Sequence, residues 1–110
     1  MALELNDITR EIYESGKRLE KGSKELFSLA KKMAETERDY RRALQMEIVK
    51  LRSEKVQATL IPDIARGNTA DLKFERDLAE ARYKSARDSL DAIKAQANGL
   101  QSILKIQKDI

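Results

Sequence analysis

The chain has 110 residues, 37% of them charged, with no cysteine, no histidine and a mean hydropathy of −0.63. That composition suits long helices better than a compact globule, and it excludes disulfides, thiol nucleophiles, imidazole bases and the usual zinc sets. The net charge of +3 says little about partners, but it is unevenly spread: Arg38 to Arg87 holds twelve basic and eight acidic residues, the remainder ten and eleven.

Asn6 or Asp7 can cap a first helix, expected over about residues 6–60. Its apolar residues Ile8, Ile12, Leu19, Leu26, Ala30, Met33, Tyr40, Leu44, Ile48 and Leu51 follow in steps of three, four and seven. Gly16 and Gly22 each cost a helix about 1 kcal/mol relative to Ala, which permits a break at 16–23. Pro62 removes a backbone donor and biases Ile61 out of the α region, so the helix is expected to stop near Leu60.

A turn at 61–69 comes next. Thr59 can cap a short helical turn with Pro62 early in it, Gly67 can close that turn in the left-handed conformation, and Asn68 can cap a second long helix with Asp71 in its first turn. This second helix, about 70–108, carries an unbroken seven-residue pattern. Leu72, Ala79, Ala86, Ile93 and Leu100 occupy one position, and Tyr83, Leu90, Ala97 and Leu104 the other. Such a pattern is the seam of a helix packed lengthwise on another.

The expected architecture is therefore all-α: a single domain, 1–110, forming a long antiparallel helical hairpin, or coiled coil. A reversal near Arg66 places Leu51 beside Ala81, Tyr40 beside Ala92 and Leu26 beside Ile106. The first twenty or so residues, with Leu3, Leu5, Ile8, Ile12 and Leu19, are then left without an intramolecular partner. A second apolar stripe, Met46, Val49, Val56 and Leu60 on the first helix with Phe74 and Leu78 on the second, lies away from the seam and marks an oligomer interface. Self-association into a helical bundle follows, most simply as a homodimer of four helices.

Chemistry-bearing constellations are sparse. Asp88 with Asp91, or Glu35, Glu37 and Asp39, lack the Glu-x-x-His pairs of di-iron bundles, and the glycines are isolated, so no metal, cofactor or small-molecule substrate is expected and the chain reads as no enzyme. Arg66, Lys73 and Arg76, close to the turn, are candidate phosphate contacts for DNA. Ile61, Ile64 and Arg66 offer two apolar anchors beside a cation, a candidate partner-binding tip. The longest apolar run is far too short for a membrane span and the N-terminus lacks the order of a secretion signal, which points to an intracellular protein.

The stretch from Ala58 to Gly67, followed by Ala70-Asp71-Leu72-Lys73 and the ending Leu100-Gln101-Ser102-Ile103-Leu104, resembles small, largely uncharacterised helical coiled-coil proteins of phages and prophages of Gram-positive bacteria. The resemblance covers most of the chain. It implies an accessory role in replication, recombination or host interaction, in the cytoplasm of a bacterial host, and it brings no catalytic motif. The expected function is thus a non-enzymatic accessory protein that binds a host or phage protein, as adaptor or inhibitor. The alternatives are a DNA-binding accessory and a structural virion or scaffold coiled coil.

Overall fold

The computed structural model describes residues 4–109, and among them the chain is an all-α helical hairpin of three helices: α1 (Leu5–Ser53), α2 (Ile61–Asn68) and α3 (Ala70–Asp109). The described residues fall into two compact units. One is built from the chain up to Phe27 and from Lys84 onward, the other from Ser28–Tyr83.

In the first unit, the α1 seam runs through Ile8, Ile12, Ser15, Leu19, Gly22 and Leu26, each buried or half-buried. It meets Ala86, Leu90, Ile93, Ala97, Leu100 and Leu104 of α3. The steps of three and four never lapse, so no break occurs at 16–23; Ser15 and Gly22 are small members of the repeat. Gly22 allows a close approach, because a Cβ there would fall inside the Leu90 side chain. The same register brings Ile8 to the level of Leu104. Ile8 and Ser15 are fully buried, so the N-terminal stripe does have an intramolecular partner, contrary to expectation; Leu3 lies outside the described residues.

In the second unit, α1 stops at Ser53 and not near Leu60. The Val56 N–H donates to the Leu51 carbonyl (3.1 Å) and the Lys55 N–H to the Arg52 carbonyl (3.1 Å), the paired bonds of a Schellman cap. Lys55 occupies its left-handed position at φ 60°, and Val56 packs on the cluster around Leu51, as that motif favours. Gly67 is not left-handed: no glycine among the described residues has positive φ. Glycine would fit at residue 55 without the Cβ clash of the left-handed region. Lys55→Gly should therefore raise the unfolding free energy by about 1 kcal/mol, read as a higher urea midpoint at unchanged slope.

Pro62 does not end α1. It sits in the first turn of α2, where its missing N–H costs nothing, while the N-cap is Leu60, without a side-chain cap bond, and not Thr59. Only Thr69 separates α2 from α3. Its hydroxyl donates to the Ala65 carbonyl (2.8 Å), a back-bond that disturbs regular helix geometry, and its ψ of 13° interrupts the helix. Asn68 does not cap α3; it ends α2, and its Nδ2 donates to Glu47 Oε1 of α1 (2.6 Å). With Arg76 at the level of Glu37 and Tyr40, these contacts replace the pairing of Tyr40 with Ala92 and of Leu51 with Ala81.

Candidate protein-interaction site

The reversal is held by a small core: Leu51, Ile61 and Ala65, with Leu44, Ile48 and Val56 packed against it. Ile61 and Ala65 are four apart and point down; Leu60 and Ile64, also four apart, share the other face of α2. Ile61 is 6% exposed, whereas Ile64 is 37% and Leu60 50% exposed. Ile61 is thus a core residue and not a partner-binding anchor. Ile64 and Arg66 remain at the surface, where Arg66 Nη1 pairs with Asp63 Oδ1 at 3.2 Å. Leu60, grouped by sequence with the oligomer interface, joins Ile64. Val56 leaves that interface because it packs into the monomer.

Arg76 is the most engaged cation of the unit. Its guanidinium lies 4.7 Å from the centre of the Tyr40 ring, pairs with Glu37 of α1 at 3.4 Å, and donates to Asp77 at 3.0 Å. Lys73 pairs with the same Asp77 at 3.4 Å. The candidate phosphate contacts Arg66, Lys73 and Arg76 are therefore each met by a carboxylate, and Arg76 bridges α1 and α3. Glu37 is held below its ordinary pKa, first by the hydrogen bond from Arg41 and then by the charges of Arg41 and Arg76. Asp77 is held below its own, first by the hydrogen bond from Arg76, with Lys73 adding. Carboxyls depressed in the folded state stabilise it above the usual carboxylate range and lose that contribution as pH falls through it. Melting temperature should accordingly drop between about pH 5 and pH 2, and the drop should be smaller in Glu37→Gln with Asp77→Asn.

Beyond the tip, the outer faces of the two long helices carry the remaining apolar residues of the proposed oligomer interface. Met46 (72% exposed) and Val49 lie on α1, opposite Leu44, Ile48 and Leu51. Phe74 (63% exposed) and the half-buried Leu78 lie on α3, away from Arg76, Ala79 and Tyr83. Charge divides these faces. Arg42, Lys50 and Arg52 flank Met46 and Val49, while Asp71 and Glu75 flank Phe74. The signal for this was present in the helical spacing, once charges are placed on the same wheel as the apolar residues.

A cleft of about 350 Å³ in the first unit lies beside Gly22 and Leu90, with Arg18, Lys21 and Glu25 at its rim. Among the described residues no cluster of three or more acidic, His or Cys side chains is placed to hold a metal ion, and no helix is long and apolar enough to cross a membrane. No family model, curated protein or solved structure matches the chain.

Proposed function

We propose that the protein is a non-enzymatic binding module, an accessory protein of phage or prophage origin acting in the host cytoplasm, which recognises another protein through α2. The observation that carries this reading is the division of α2: Ile61 and Ala65 are locked into the core beneath, while Leu60 and Ile64 stand exposed beside Arg66. A surface held in place before binding loses little conformational freedom on association, and arginine is among the residues enriched at binding hot spots. A nucleic-acid reading has less support, since Arg66, Lys73 and Arg76 already face carboxylates.

The test is affinity capture from host lysate with the chain and with a variant carrying Leu60→Ser, Ile64→Ser and Arg66→Ala. A stoichiometric partner taken by the former and lost by the latter, at unchanged helicity and melting, supports the reading. Equal capture by both, or none by either, defeats it.

A further inference from the structure

The outer faces of α1 and α3 in the second unit are opposite in charge and alike in being apolar at their centres. On α1, Arg42, Met46, Val49, Lys50 and Ser53 follow at steps of three, four and seven and so form one stripe, with Arg52 beside it. None of these three cations has a carboxylate partner among the described residues. The nearby Asp39 is paired with Arg38 at 3.1 Å. On α3, Asp71, Phe74, Glu75 and Leu78 form the matching stripe; Asp71 and Glu75 likewise have no basic partner, and Arg82 follows one turn on.

Each stripe lies opposite the side by which its helix meets the other, so the two stripes point in opposite directions. A stripe pressed against its own copy would oppose like charges: arginine and lysine on one side, aspartate and glutamate on the other. Pressed against each other, they pair Met46 and Val49 with Phe74 and Leu78, and cations with carboxylates. We propose that copies of this chain associate in series, the basic outer face of α1 in one copy docking on the acidic outer face of α3 in the next. The contact is heterologous, so it either closes into a ring or continues as a filament, and it differs from the symmetric dimer suggested by apolar patterning alone. It goes beyond the protein-recognition reading, since it uses neither Leu60 nor Ile64.

Sedimentation velocity of the full chain, at rising concentration and at two salt levels, tests it. Expected is association at about 50 mM salt that weakens at about 500 mM, where exposed charges are screened. Arg42→Glu with Lys50→Glu in one variant, and Asp71→Lys with Glu75→Lys in another, should each raise the midpoint concentration about tenfold or more. Mixed in equal amounts, the two variants should associate again, because each then offers the face that the other lacks. A wild-type monomer at both salt levels overturns the proposal. So does a dimer that salt and both variants leave unchanged, or a mixture of correctly folded variants that stays monomeric. If a variant loses its helical circular dichroism, the salt dependence of the unmodified chain decides in the same two directions.

Discussion

Leu51→Ala should lower the unfolding free energy by about 2–4 kcal/mol. Leu51 is almost fully buried and is the point where the end of α1, the capping residue Val56 and the underside of α2 converge. Its removal forfeits the transfer free energy of the lost carbons and leaves a space that α2 can only partly fill, because Pro62 and the turn before it restrict how far Ile61 can move. Ile61→Ser should come close to it, with an unpaired hydroxyl added to the void. Met46→Ala and Ile64→Ser, on the exposed sides of the same helices, should change stability by less than about 0.5–1 kcal/mol. Urea unfolding of the four variants checks the ranking. Equal losses at Ile61 and Ile64 would mean that α2 is not anchored by its underside.

The second large effect belongs to the first unit. Gly22→Leu places a side chain in the space held by Leu90, and overpacking of that kind costs about 1–3 kcal/mol against roughly 1 kcal/mol gained in helix propensity. Leu90→Ala alone leaves a void and is also destabilising. Combined, the two substitutions exchange the large and small partners across the seam, so the double variant should be more stable than the sum of the single losses by about 0.5–3 kcal/mol. A double-mutant cycle by chemical denaturation measures that coupling. Strict additivity would show that Gly22 and Leu90 do not meet.

The seam of α3 was legible because its members are apolar at nearly every heptad position: Ala79, Tyr83, Ala86, Leu90, Ile93, Ala97, Leu100 and Leu104 are all buried or half-buried. Leu72 departs from the pattern and is exposed, since the joint at Thr69 precedes it by less than a turn. On α1 the repeat was hidden where Ser15, Gly22 and Thr36 take seam positions, small or polar residues that a search for apolar side chains passes over. Thr36 is tolerated there because its hydroxyl donates to the carbonyls of Lys32 and Met33. The position of the reversal was illegible for a different reason. A helix end is usually announced by glycine at the left-handed position, and here a lysine takes it, while Pro62 advertises a terminus that turns out to be a start. That displaced boundary shifted the pairing of the helices, made the N-terminal stripe look unpartnered and made Ile61 look free. Of the candidate site, Ile64 and Arg66 lie at the surface as their place in the turn suggests, whereas the opposed charges of the outer faces show only when charges are resolved by helix face, which a count of charges along the chain does not do.

A reversal stapled by its own neighbours also says how the chain can come to its structure. Leu51, Val56, Ile61 and Ala65 lie within a short span of sequence, so bringing them together closes a small loop at low entropic cost, whereas Ile8 and Leu104 can meet only across most of the chain. Once the first cluster exists, each later pair is brought near by the one before it, and the search shrinks from the whole polymer to one more turn of helix. The Schellman cap and the α2 core are thus expected to form early, ahead of the pairing of Ile8 with Leu104.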